Sequence, residues 1–99
     1  MIGLAVNAPD YRWDVERELT VRHVEWCLGR EESGEILAAG PLRDSLGTER
    51  ADAVIIVLAA TVADAEKILA EDPLVRAGRR RYLLARWLIN QGVVRRAIP

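Results

Sequence analysis

The chain has 99 residues, a formal net charge of −1 and a hydrophobic fraction of 51%. This length suits one domain over residues 1–99 with a single core, and the charge argues against nucleic acid, whose binding needs a basic surplus. The longest apolar run, Ala53 to Ala63, is too short for a membrane helix of about 20 residues, so no membrane segment is predicted.

Turn-forming residues divide the first half of the chain into a strand, a helix and a second strand. The apolar run Ile2–Val6 predicts a strand because a turn cluster follows it. A helix is predicted over Asp14–Arg30, with the aspartate as N-cap and with Ser33-Gly34 after its end. Glu35–Gly40 predicts the second strand, which Pro41 should terminate.

The second half repeats the pattern with a strand, a helix and a strand. Pro73 disfavours helical geometry in the residue before it, so we expect the second helix to end at Asp72. The predicted segments are a polar loop at Arg43–Arg50, a central strand at Ala53–Ala59, a helix over Thr61–Asp72, a short turn or additional helical piece at Leu74–Gly78, a strand at Tyr82–Ile89 and a tail at Gln91–Pro99.

This order of elements, βαββαβ, predicts an α+β fold of the ferredoxin-like type. Four antiparallel strands then form one sheet, with both helices on one face. The other face of the sheet would be exposed to solvent in a single chain, and the strands are too apolar for that exposure to be favourable. We therefore expect a homodimer in which two sheets pack face to face.

Two ionisable residues lie on apolar helix faces. Asp72 follows Ala65, Ile68 and Leu69 at helical spacing, and the only histidine, His23, has a comparable position on the first helix. A buried acid and a buried imidazole are costly unless they pair or do chemistry. An aspartate that accepts one imidazole N–H fixes the tautomer, which leaves the other nitrogen as a general base or acid.

Two other interpretations of these residues stay open. The pair could be a structural hydrogen bond that only fixes packing. Alternatively, Asp72 could bond local backbone before Pro73, an interpretation that predicts no contact with His23.

Several motifs together carry a family resemblance. Gly34–Leu42, with the sequence GEILAAGPL, resembles the glycine-initiated strand and turn of the YciI-like (YCII) family. His23 lies upstream with Trp26 three residues on, and the pair Asp72-Pro73 is followed by Gly78, as in that family.

The resemblance covers about His23 to Trp87. It implies a ferredoxin-like fold, a dimeric α+β barrel and an enzyme with a His/Asp-centred pocket; one branch of the family dehalogenates chloromuconolactones. By motif match, the histidine role falls on His23 and the aspartate role on Asp72. Many members have an arginine three residues before the histidine, where this chain has Thr20.

Four further residues are candidates for substrate binding, each with a plainer alternative. Trp26 could stack on a flat substrate or belong to the core. Gly40 and Pro41 could shape a cleft wall with a backbone N–H facing a substrate oxygen, or form only a tight turn. Arg86 could bind a carboxylate in the cleft or lie at a dimer edge.

Other reactive or charged residues are given structural roles. The run Arg79–Arg81 could bind an anion but is interpreted as a solvated strand entrance, and Cys27 as a buried filler rather than a nucleophile paired with His23. With one cysteine the chain has no intrachain disulfide, so we expect a cytoplasmic protein. No metal-ligand cluster and no glycine-rich loop occurs in the sequence, so neither metal nor cofactor is predicted.

These observations predict a cofactor-independent small-molecule enzyme of lyase or isomerase type, acting on a lactone or an unsaturated carboxylic acid. His23 would be the general base or acid, and Asp72 would orient it. The alternative is a non-catalytic dimeric module that binds a small ligand or assembles with a larger enzyme.

Overall fold

The computed structural model describes residues 2–7, 12, 15–43 and 49–93. The strands and helices within these ranges follow the predicted order. They are β1 (Ile2–Asn7), α1 (Arg17–Glu32), β2 (Ile36–Arg43), β3 (Glu49–Val57), α2 (Val62–Ala70), α3 (Pro73–Arg76) and β4 (Arg80–Ala85).

The strands form one antiparallel sheet in the order β2-β3-β1-β4. The α+β class with an antiparallel sheet, predicted from the order of elements, is confirmed. Strands β2 and β4 are the two edges, and each neighbouring pair of strands lies about 4.8 Å apart.

Helices α1 and α2 cover the same face of this sheet. Ile55 and Val57 of β3 are buried in one cluster with Ala65 and Leu69 of α2. Trp26 and its neighbour Cys27 pack on this cluster from α1, half-buried. The apolar spacing that predicted the two helices therefore also identifies the surfaces by which they contact the sheet.

The predicted bounds of β2, β3 and β4 are wrong, and β3 spans Glu49–Val57 instead of Ala53–Ala59. Strand β2 continues through Pro41 to Arg43 instead of stopping before the proline. An edge strand tolerates a proline because its missing N–H need not break the ladder, and the register shifts next to Pro41. Strand β4 ends at Ala85 instead of Ile89, so Arg86 lies beyond the sheet.

The predicted and observed helix boundaries agree better where a capping residue marks the end of the helix. Thr61 caps α2 as predicted, accepting the Asp64 N–H at 3.1 Å. Helix α1 ends at Glu32, two residues after the predicted Arg30. Ser33 and Gly34 follow it, and the glycine has a φ of 82°, a backbone conformation that side chains disfavour. Helix α2 ends at Ala70, two residues before the predicted end.

Some predictions concern residues outside the described ranges. These are the N-cap Asp14, most of the loop Arg43–Arg50, and residues 94–99 of the tail. Within the described ranges, no helix combines the length and apolar character required to span a bilayer.

Candidate active site

A short break between two helices positions the carboxylate of Asp72. Pro73 opens α3, and Asp72 lies just before it with a non-helical backbone (φ −56°, ψ 124°). Its Oδ1 accepts the Leu74 N–H at 2.9 Å. Because this cap turns the side chain inward, the carboxylate is fully buried (0% exposed).

His23 reaches this carboxylate from α1. Its Nδ1 lies 2.8 Å from Asp72 Oδ1, and its side chain is 16% exposed. Asp72 thus both caps α3 and contacts the imidazole. The interpretation of Asp72 as a local cap without a histidine contact is wrong, because one carboxylate oxygen has lone pairs for two donors.

Strand β4 adds two groups to the pair. The Tyr82 hydroxyl donates to Asp72 Oδ2 at 2.6 Å. Arg80 Nη1 lies 3.3 Å from His23 Nε2, 3.4 Å from Tyr82 Oη and 4.0 Å from Asp72 Oδ2. We call these four residues, His23, Asp72, Arg80 and Tyr82, the His–Asp cluster.

The arginine contact assigns the tautomer of His23. A guanidinium has only donors, so Nε2 must accept from Arg80 and carry no proton. The proton then lies on Nδ1 and is donated to Asp72. The neutral tautomer that fits both contacts therefore has its basic lone pair on Nε2.

The surroundings keep Asp72 ionised and Tyr82 protonated. Burial by itself raises the pKa of Asp72, but the hydrogen bonds from His23 and Tyr82, the positive charge of a protonated His23 and the hydrogen bond from the Leu74 N–H outweigh it and lower the pKa below the ordinary value. Burial and the nearby Asp72 charge raise the pKa of Tyr82. The phenol therefore remains a donor to the carboxylate at neutral pH.

Cys27 lies one turn from His23, with Sγ 3.6 Å from Nε2. Burial, reinforced by the charge of Asp72, raises the pKa of this thiol to about 11. A neutral thiol is a poor nucleophile, so the geometry supports the interpretation of Cys27 as a packing residue.

Trp26 also belongs to α1 and is half-buried against the core. Its ring centroid lies 6.1 Å from that of His23, at an interplanar angle of 32°. The indole Nε1 is buried and has no hydrogen-bond partner in the part of the chain that the structure describes. Trp26 therefore packs beside the imidazole as well as on the core.

Three predicted binding residues lie apart from the His–Asp cluster. Gly40 and Pro41 are exposed on β2, at the sheet edge opposite β4. The three inter-strand steps between these edges amount to about 14 Å. Arg86 is exposed beyond the end of β4. The hydrogen bonds that join the cluster include none of the three.

Sequence reasoning missed Arg80 and Tyr82. The solvated interpretation of Arg79–Arg81 is wrong for Arg80, whose side chain is 9% exposed, and Arg79 is paired with Glu16 at 2.8 Å. The alternation of side chains along a strand could have identified both residues together. Arg80 precedes Tyr82 by two residues, so the two side chains lie on the same face of β4.

Other features of the described residues do not extend this cluster. A cavity of about 310 Å³ is lined by residues of the first turns of α1 and the segment before it, and neither His23 nor Asp72 lines it. Across the described ranges, no three His, Cys, Asp or Glu side chains are grouped to hold a metal ion.

Comparisons with known proteins agree with this architecture. The model of the YCII-related domain matches residues 3–88. A similar solved structure is the 5-chloro-2-hydroxyhydroquinone dehydrochlorinase TftG from Burkholderia phenoliruptrix AC1100, in complex with 2,5-dihydroxybenzoquinone. Its TM-score is 0.68 at 19% identity, over 89% of this chain and 94% of that chain, which shows a shared fold. No curated protein matches the sequence.

Asp72→Asn should destabilise the protein by about 1–3 kcal/mol at neutral pH, because charge-assisted hydrogen bonds are lost. Since folding lowers the pKa of Asp72, its contribution is complete above the ordinary value of 3.8 and is lost as the pH falls through the folded value. Urea unfolding at about pH 7, 5 and 3 measures both effects.

Exposed Asp64 on α2 provides the matched control, and Asp64→Asn should change the free energy of unfolding by less than about 1 kcal/mol. If Asp72→Asn and Asp64→Asn showed the same loss of stability between about pH 5 and pH 3, the assigned role of the buried carboxylate would be wrong.

Cys27 should react slowly with iodoacetamide in the folded chain. A pKa raised from 9.0 to about 11 reduces the thiolate fraction roughly 100-fold. Mass spectrometry after timed alkylation at pH about 8 gives the rate, with the urea-unfolded chain as the control. Equal rates in the folded and unfolded chains would contradict the burial of this thiol.

Proposed function

The chain belongs to the YCII-related domain family, and on that premise we propose a small-molecule enzyme of lyase or isomerase type that works by proton transfer at His23. Proton transfer of this kind needs a base, a group that holds the base and a polarised substrate. The described residues supply the first two, so the proposal requires no cofactor.

The contact between His23 Nδ1 and Asp72 Oδ1, at 2.8 Å, is the observation that carries the proposal. It leaves the Nε2 lone pair as the proton acceptor. When Nε2 takes a proton the imidazole becomes cationic, and the adjacent buried carboxylate stabilises that charge. Tyr82 supports the same carboxylate and prevents it from turning away.

The substrate class follows from what a single base can do. Removal of a proton next to a carbonyl starts lactone isomerisation and elimination alike. TftG, which shares the fold, is by its name a dehydrochlorinase and was solved with 2,5-dihydroxybenzoquinone. We therefore propose a lactone, an unsaturated carboxylic acid or a halogenated hydroquinone as the substrate.

One observation favours a non-catalytic ligand-binding module as the second candidate. His23 Nε2 is covered by Arg80 and Cys27, at 3.3 and 3.6 Å. A histidine that serves packing alone needs no open nitrogen. The two candidates differ in turnover, and only the enzyme requires an imidazole at this position.

His23→Gln should lower turnover at least about 100-fold, because general acid–base catalysis contributes about 10²–10⁴-fold. The assay follows chloride release from 5-chloro-2-hydroxyhydroquinone and absorbance changes of muconolactone and small unsaturated acids. Circular dichroism melting of the variant verifies that it is folded.

Glu25→Gln, an exposed change two residues away on α1, is the matched control and should leave turnover unchanged. Turnover by His23→Gln within a few-fold of the unmodified protein would refute the role of the histidine. Failure of the unmodified protein to convert any of these compounds would favour the ligand-binding module.

We also propose a cytoplasmic homodimer that pairs through the outer face of the sheet. Leu83 points away from the helices because its neighbours Tyr82 and Leu84 pack on the core cluster, and it is 49% exposed. Val54 and Ile56 lie on the same outer face and are only partly buried. A second sheet would remove these side chains from water.

The lone cysteine of the chain suits a reducing compartment.

Leu83→Lys should convert the dimer to a monomer, because it places a charge within an apolar interface. Sedimentation velocity measures the mass. Val21→Lys on α1 is the control, since Val21 is equally exposed at 49% but lies on a helix. A dimer that survived Leu83→Lys, or that Val21→Lys also dissociated, would rule out this interface.

A further inference from the structure

We infer that the outer side of α1 is a second self-association surface, through which two copies of the chain pair by antiparallel helices. An arginine, three apolar residues and two glutamates form this surface, which we call the α1 stripe: Arg17, Val21, Val24, Leu28, Glu31 and Glu32. The partner is a second copy of this chain, because the α1 stripe is complementary to itself. The inference depends neither on the proposed function nor on the sheet interface.

The apolar centre of the α1 stripe points away from the sheet. At about 100° per residue, Val21, Val24 and Leu28 lie within about 60° of one another around the helix. His23 and Trp26, which contact Asp72 and the core, lie on the other side of α1. The three apolar side chains are 49%, 48% and 58% exposed. Apolar side chains that are exposed side by side, unlike scattered ones, indicate a surface that associates.

The charged ends of the α1 stripe set the direction of the partner helix. Arg17 and Glu31 are exposed and lie about 21 Å apart along the helix axis, with Val24 midway between them. An antiparallel partner brings its glutamates beside Arg17 and its arginine beside Glu31 and Glu32. A parallel partner would place arginine against arginine and glutamate against glutamate. The charges therefore favour an antiparallel pair with two-fold symmetry, in which both ends make the same contacts.

The other charges of α1 limit the strength of this pairing. Glu18 and Arg22 form an ion pair with each other at 2.8 Å, so together they offer the second copy no net charge. Glu25 is exposed next to Val24, and the two-fold axis brings it near its own counterpart. The repulsion between these like charges weakens the pair without changing its direction.

The expected affinity is low, because a single pair of helices makes a small interface. Its area lies below the roughly 1,200 Å² at which standard interfaces begin, so we expect a dissociation constant of about 0.1–1 mM. At about 10 µM the stripes are then unpaired, and Val21→Lys remains a neutral control for the sheet interface. At higher concentrations the α1 stripes join sheet-paired dimers into larger assemblies.

Sedimentation equilibrium in a Leu83→Lys background separates the α1 stripe from the sheet interface. We expect monomers at about 10 µM and a mean mass that rises toward two chains at about 1 mM. Val24→Lys should abolish this rise, because it places a charge at the centre of the pair. Val62→Lys on α2 is the matched control, since Val62 is 42% exposed, and should leave the rise unchanged. Circular dichroism verifies that each variant is folded.

Charge exchange in the same background tests the contacts at the two ends. Arg17→Glu should weaken association about tenfold, because it sets a glutamate against the glutamates of the second copy at both ends. Adding Glu31→Arg and Glu32→Arg to Arg17→Glu exchanges the charges of both ends and should restore association. Raising the salt concentration from about 50 to 500 mM should weaken association of the unexchanged stripe by screening.

Cysteine cross-linking determines the direction of the two helices. Val24→Cys lies near the two-fold axis, so it should form a disulfide with its own counterpart under mild oxidation. Arg17→Cys should not, because an antiparallel pair holds the two copies of this position about 21 Å apart along the axis. Both variants retain Cys27, whose burial raises its pKa to about 11, and the parent protein gives the background rate.

Each of the following results would overturn the inference: a mass that stays at one chain up to about 1 mM, a rise that Val24→Lys leaves intact or that Val62→Lys also abolishes, a charge exchange that does not restore association, or cross-linking as fast in Arg17→Cys as in Val24→Cys. The proposed function and the sheet interface fail on other measurements, namely turnover by His23→Gln and the mass of Leu83→Lys at about 10 µM.

Discussion

A buried carboxylate is the constraint on which the rest of this structure depends. Asp72 is fully removed from water, and an ionised group in that position requires hydrogen bonds from every side. The three donors come from different parts of the chain: His23 on α1, the Leu74 N–H at the start of α3, and Tyr82 on β4. One anion therefore ties two helices and an edge strand together, and the loss of any donor affects all of them.

The meeting of His23 and Asp72 was predicted for a reason that holds for only one of the two residues. His23 lies on α1, where helical spacing does define a face, but Asp72 lies beyond the end of α2 and is buried as the cap of α3. The family resemblance points to the same pair. Arg80 is different, since its neighbours Arg79 and Arg81 make the run resemble a solvated surface. Only the pairing of β4 with the sheet decides which of the three arginines faces inward.

Strand ends were the least predictable part of the fold, for a related reason. Whether Pro41 stops a strand depends on whether that strand lies at an edge, and edge position belongs to the sheet, not to the local sequence. Arg86 was assigned to a strand by alternation alone, but β4 ends where its partner β1 begins, at the pairing of Ala85 with Ile2. Local patterns therefore located the elements, and long-range pairing set their limits.

The His–Asp cluster also shows why a shared fold does not determine chemistry. TftG resembles this chain in fold at 19% identity, and fold similarity at that level leaves the site to be argued from its own residues. In the neutral imidazole that donates Nδ1–H to Asp72, the lone pair lies on Nε2. A proton added at Nε2 creates a cation 2.8 Å from a carboxylate that is already held in place. Because that carboxylate needs no reorganisation, the geometry favours protonation of the imidazole, which is the step that the proposed proton transfer requires.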